Sequence, residues 1–192
     1  GVLKAFALGA AQHAARDSEF MAYANGMGEE LTHPNMCRAL AYSQGMSQEE
    51  FDATVPVFGA LAHTAVCIHG MYLATLVEMR ANALSNETMV QRYATEFNEY
   101  LSKAPYNLSL EAREFFTVHM GADIEHTERA ANSIAELAQS EQDQEKGRAM
   151  CRNMATLKLG KFDSIYDEYA YGERSSGNWL YEIYSDATVP TS

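Results

Sequence analysis

Apolar residues recur along this chain at steps of three and four, the spacing of one helical face, and no run alternates with polar residues long enough to argue for a strand. The pattern is helical nearly throughout, and breakers and caps divide it. A first helix is predicted over about 8–31, interrupted at His33-Pro34 because the residue before a proline is pushed out of the helical region. The segment "NMCRALAYSQG" reads as a short helix stopped at Gly45. Ser47 and Glu50 have capping-box spacing and open a long segment over about 48–84, which Pro56 kinks or splits. Ser85 is expected to cap a helix over about 86–103, and Ser109 to begin an amphipathic helix reaching about 139. After the polar corner "SEQDQEKG" a last helix is predicted over about 144–172. The turn-rich, aromatic tail "GERSSGNWLYEIYSDATVPTS" is expected to pack loosely over the bundle.

Composition narrows this picture. With 192 residues, 47% of them hydrophobic, and no sharp shift in composition, a single domain over 1–192 is the expectation. The balance of 14 basic against 26 acidic residues gives a net charge of −12. No Lys/Arg cluster with interleaved aromatics lies along the chain, which argues against a nucleic-acid partner. The longest apolar stretch, "VPVFGALAHTAVCIHGMYLATLV", carries His63, His69 and several small residues, so it reads as a buried helix and not a membrane span; no signal peptide is evident. Cys37, Cys67 and Cys151 are odd in number and form no CxxC pair, so a disulfide framework is not expected and a reducing cytoplasm fits. The 10 methionines and the aromatics would suit a helix-face homodimer.

The candidate chemistry begins with "FFTVHMGADIEHTERA". His119, Asp123 and His126 stand at i, i+4 and i+7, within roughly a 60° arc of one helical face. In "GEELTHP", Glu30 and His33 are three apart and again share a face. Such Glu-x-x-His pairs ligate metal in helical di-iron carboxylate bundles. Glu78 stands in "GMYLATLVEMRAN" after a dozen largely uncharged residues, where a carboxylate must lie at a helix end or be paired. Each residue alone has a plainer reading: a core histidine, a solvated aspartate, an acidic helix terminus. Their conjunction points to a metal site. Three carboxylates and three imidazoles suit two divalent iron or manganese ions better than a closed zinc site, which would more often use cysteines. His63 lies about 60° around the helix from Glu78 and is a candidate to support a ligand from behind, whereas His69 points nearly opposite.

Two segments also resemble a known family. "HPNMCRALAYSQGMSQEEF" is similar to the His-Pro helix, glycine stop and capped next helix of heme-oxygenase-like proteins, the superfamily that includes TenA-like proteins. "FFTVHMGADIEHTERA" is similar to the third-motif helix of the heme-oxygenase-like diiron oxidases and oxygenases, with its His-x3-Asp-x2-His pattern intact. The resemblance implies an all-α heme-oxygenase-like bundle of about seven to eight helices over nearly the whole chain. It also implies that Glu30 and His33 fill the first motif, Glu78 the isolated middle glutamate, and His119, Asp123 and His126 the third motif. The chain departs from many members in having Gly26 where they carry an upstream glutamate; its closer spacing resembles a narrower set that includes fatty-acid-decarboxylating members. The region before the first motif looks short for the family.

What the resemblance implies for function is a non-heme di-iron oxidoreductase. Two iron ions, with manganese the substitute, activate dioxygen as co-substrate to oxidise a small organic acid or amine by N-oxygenation, oxidative decarboxylation or carbon–carbon cleavage. An electron donor is then needed. Three other classes stay open at this point. A TenA-like, thiaminase-like cofactor-free hydrolase would use Cys67 as nucleophile near Glu78. A ferritin-like di-iron bundle would usually carry a further glutamate in place of His119. A non-catalytic helical interaction protein accounts for length and charge, but not for the clustered ligands.

Overall fold

The computed structural model of the chain describes residues 7–11 and 17–172. Residues 7–11 are helical (α1). They are followed by α2 (Asp17–Glu30), α3 (His33–Ser43), α4 (Gln48–Ala53), α5 (Phe58–Leu73), α6 (Leu76–Leu101), α7 (Glu114–Leu137) and α8 (Glu141–Tyr166). A π-helical turn, Asp167–Tyr171, extends α8. Among the described residues no strand occurs, so the architecture is all-α, as the periodicity predicts. The aromatic tail beyond Gly172 lies outside the described residues, and so does the expectation that it packs over the bundle.

Local chemistry sets the helix boundaries. Pro34 occupies the first turn of α3, where its missing N–H costs nothing, and the chain bends at Leu31 and Thr32 just before it. Gly45 ends that helix with φ +88°, and the N–H groups of Gly45 and Met46 reach back to Tyr42 and Ala41 at 3.0 and 3.3 Å, closing a Schellman turn. The expected capping box of α4 is present: Glu50 N–H donates to Ser47 Oγ at 3.2 Å and Ser47 N–H to Glu50 Oε2 at 2.8 Å.

The segment expected over 48–84 is divided in two places. Pro56 separates α4 from α5, and a second break at Ala74–Thr75 separates α5 from α6. There Thr75 and Glu78 form another capping box, with Thr75 N–H to Glu78 Oε2 at 2.8 Å and Glu78 N–H to Thr75 Oγ1 at 3.4 Å. Helix α6 therefore runs straight through Ser85. That residue caps nothing, and its hydroxyl instead donates to the Cys151 carbonyl on α8 at 3.3 Å. Ser109 caps a turn at Ala112, and α7 begins only at Glu114.

Helix α6 is the axis of the bundle, packing along α7 most extensively and then along α8, while α5 lies across α8. It buries Val77, Met79, Ala81, Val90 and Ala94. Tyr93 and Phe97 meet Phe162 of α8, and Phe97 also meets Phe116 of α7, at ring separations of 5.3–6.3 Å. Such pairs each contribute about 0.5–1.5 kcal/mol beyond their buried area. Gly59 permits a close crossing of α5 over α8: a methyl group there would meet Ser164 Oγ and lie 2.6 Å from the Gly160 carbonyl. Among the described residues no helix is long and apolar enough to cross a membrane.

Candidate metal centre

The interrupted α2–α3 junction places two side chains that a continuous helix would have set one turn apart on its surface. Glu30 ends α2 and His33 begins α3; the His33 Nδ1–H donates to Glu30 Oε2 at 2.7 Å. Both side chains are largely shielded, and the bond to Glu30 holds the His33 imidazole above its ordinary pKa. Helix α7 brings His119 alongside, with ring centroids of His33 and His119 4.6 Å apart. His119 donates Nδ1–H to the Phe115 carbonyl one turn back at 2.6 Å, which leaves the Nε2 lone pair bare. Burial pushes its pKa down, so it stands neutral, as a metal-ligating imidazole must.

One turn further along α7, Asp123 is 1% exposed, and its Oδ2 has no hydrogen-bond partner. An isolated buried carboxylate is costly. Burial first, and the neighbouring Glu87 carboxylate second, push the Asp123 pKa up to about 8. Burial raises Glu87 as well, but the neighbouring His126 and Asp123 outweigh that and hold it below its ordinary value. One proton thus sits between two carboxylates that cannot both ionise at such close range. His126 closes the group, its Nδ1 3.8 Å from Glu87 and 3.9 Å from Asp123, and its Nε2 3.1 Å from Glu29. The adjacent Glu87 raises its pKa.

Glu87, Asp123 and His126 offer ligand atoms that all lie within 4.8 Å of one another. Glu30 and Glu87 line both a cavity of about 300 Å³ shared with His33 and His119 and a smaller one of about 60 Å³ shared with His126. These two acids therefore stand between a His33/His119 side and an Asp123/His126 side. A carboxylate in that position can bridge two ions. The unsatisfied oxygen of Asp123 and the protons wedged among the acids are what divalent cations would relieve, so the residues present fit such ions.

Of the six sequence candidates, Glu30, His33, His119, Asp123 and His126 are brought together here. Glu78 is not. Its carboxylate is engaged by Thr75 at the start of α6, about 13 Å along the helix axis from Glu87. Glu87 is the α6 carboxylate that stands beside Asp123 and His126, because α6 continues through Ser85 and turns Glu87 inward. With Ser85 read as a cap, Glu87 looks like an ordinary first-turn acid. The available signal was the stripe Arg80, Ala83, Glu87, Val90 and Ala94, which places Glu87 on a face that is otherwise mostly apolar. His63 lines the larger cavity from α5, and its Nε2 makes no hydrogen bond, so it does not brace a ligand through that atom. Cys67 lines the same cavity, but burial raises its thiol pKa, and Glu78, the acid expected beside it, is held by its cap.

A family model described as "Iron-containing redox enzyme" matches residues 7–161, a span that includes every residue of this cluster. No curated protein and no solved structure matches the chain.

Proposed function

From membership of the iron-containing redox enzyme family, we propose that the chain is a non-heme di-iron oxidase or oxygenase that uses dioxygen to oxidise a small organic molecule, an acid or an amine. Glu30, His33, Glu87, His119, Asp123 and His126 would hold the ions, with Glu30 and Glu87 between them. Manganese would suit the same donors. The observation that supports this reading most strongly is the convergence of Glu87, Asp123 and His126 within 4.8 Å, around a buried carboxylate oxygen with no partner. Reduced iron supplies open coordination positions and electrons for dioxygen chemistry.

The chain's own residues perform the rest. The Phe115 carbonyl fixes the tautomer and ring orientation of His119, so its Nε2 is presented without rearrangement. His33 and His126, held above their ordinary pKa by Glu30 and Glu87, and Asp123, pushed up by burial, are the groups that would have to release protons for cations to be held here. Ile68, Val90, Tyr93 and Phe115 give the larger cavity an apolar lining that would limit water beside the bound ions. An external electron donor would restore the reduced state.

The test is oxygen uptake by the anaerobically ferrous-loaded chain. Wild type should consume dioxygen rapidly on mixing, and Asp123→Ala should consume no more than free ferrous iron does. Uptake by the variant equal to wild type would refute the reading.

A further inference from the structure

The larger cavity has a second wall, of opposite chemistry to the first. Lys158 and Lys161, one turn apart on α8, face into it together with His63 of α5 and Asn82 of α6. Lys158 is 5% exposed, an unusual position for a lysine without a charged partner. Its ammonium donates to Asn86 Oδ1 at 2.6 Å and lies 5.7 Å from the Tyr93 ring centre, while Lys161 lies 5.4 Å from that of Phe162. Among the described residues no carboxylate is ion-paired with either lysine. Glu87 and Asp123 act on Lys158 only as weaker, more distant charges. Beside the lysines, the His63 Nε2 and Asn82 Nδ2 are buried with no hydrogen-bond partner, and both residues are more than nine-tenths buried. Two ammonium groups, an amide donor and an imidazole thus border one cavity, with hydrogen-bonding capacity that the fold leaves unused.

We propose that Lys158 and Lys161, with Asn82 and His63 beside them, anchor the carboxylate of a small organic acid in this cavity, its remainder lying toward Glu87 and His119. This deepens the proposed function by choosing acid over amine, and it rests on that reading for what is done to the bound molecule, though not for binding itself. Charge decides the choice. A carboxylate supplies the missing counter-ion and accepts hydrogen bonds from both ammonium groups, whereas an alkylammonium head would meet two like charges across a poorly solvated space. The burial that pushes the Lys158 pKa down to about 8 still leaves it mainly protonated at neutral pH, and a bound anion would reinforce that charge. Apolar lining from Ile68, Val90, Tyr93 and Phe115 suits a hydrocarbon or aromatic body behind the acid group.

The test compares hexanoate, hexanol and hexylamine, which share a chain and differ in head group, by calorimetric titration of the full chain at pH 7. One arm uses chelator-treated protein, so that a carboxylate–metal bond cannot account for binding; the other uses anaerobic ferrous-loaded protein. Hexanoate should bind about ten-fold or more tighter than hexanol, as expected for charge-assisted hydrogen bonds, and hexylamine weakest. Lys158→Met and Lys161→Met, near-isosteric and neutral, should each remove most of the preference for the acid, and Lys158→Arg should keep it. Should Lys158→Met fail to fold, Lys161→Met and the head-group series in wild type still decide. Hexanoate bound no better than hexanol, or full preference in both Met variants, overturns the proposal. Ferrous stoichiometry measured on the same samples separates the two readings. Acid preference without iron binding leaves the anchor standing and removes the metal centre; iron binding without head-group preference does the reverse.

Discussion

Asp123 and His63 respond to acid in opposite senses, and each reports on its own surroundings. The Asp123 pKa is about 8 in the fold against an ordinary value near 4, so in chelated protein the native state holds a proton that the unfolded chain has already lost. Its contribution is therefore fully present below about pH 4 and is lost as pH rises toward 8. Asp123→Asn, stripped of metal, should melt higher than wild type at pH 8, with the gap closing by about pH 4; thermal melts across that range check it. For His63 the pKa falls to about 4, so its contribution is present above about pH 6.5 and is lost as pH falls toward 4. His63→Gln should flatten the acid limb of the stability curve without altering iron binding. Most of the candidate site was legible at this scale. The motif spacings on α7 and at the α2–α3 junction picked out His119, Asp123, His126, Glu30 and His33, which the fold clusters, because polar residues repeated on one helix face show in local periodicity. Glu87 stayed hidden, since its meaning depends on whether the helix begins before or after it.

That boundary is a matter of elements. Thr75-x-x-Glu78 is the same capping signature as Ser47-x-x-Glu50, and both boxes form. The first was legible because polar residues surround it; the second sits in a long apolar stretch where the spacing is easily taken for interior helix. The consequence is testable in a matched pair. Glu78→Ala should cost about 1 kcal/mol of stability, as loss of a cap does, and leave iron binding intact. Glu87→Ala should keep the helix and lose the iron. Denaturant unfolding and ferrous titration on both variants distinguish the roles. The α5–α8 crossing gives a second element-scale prediction. Gly59→Ala forces a methyl group against Ser164 and the Gly160 carbonyl, so it should destabilise the chain by about 1–3 kcal/mol. Because Lys161 lies at the same crossing, that variant should also bind hexanoate more weakly.

For the whole molecule, α6 and α7 present Glu87, Asp123 and His126 from two long helices that pack along each other. The all-α character was legible because one period runs through the entire chain; the way helices pair depends on long-range packing, such as the Gly59 crossing, that no local pattern encodes. Binding of ferrous iron to the folded state should raise the melting temperature under anaerobic conditions, by an amount corresponding to about 2.7 kcal/mol when free metal exceeds its dissociation constant a hundred-fold. The most direct measurement is the stoichiometry itself, an anaerobic ferrous titration of wild type, Glu87→Ala and Glu78→Ala. Wild type and Glu78→Ala should each take up about two ions per chain, as a bridged pair requires, and Glu87→Ala should lose that uptake. No ferrous binding by wild type, or a stoichiometry that Glu87→Ala leaves unchanged, would contradict the account.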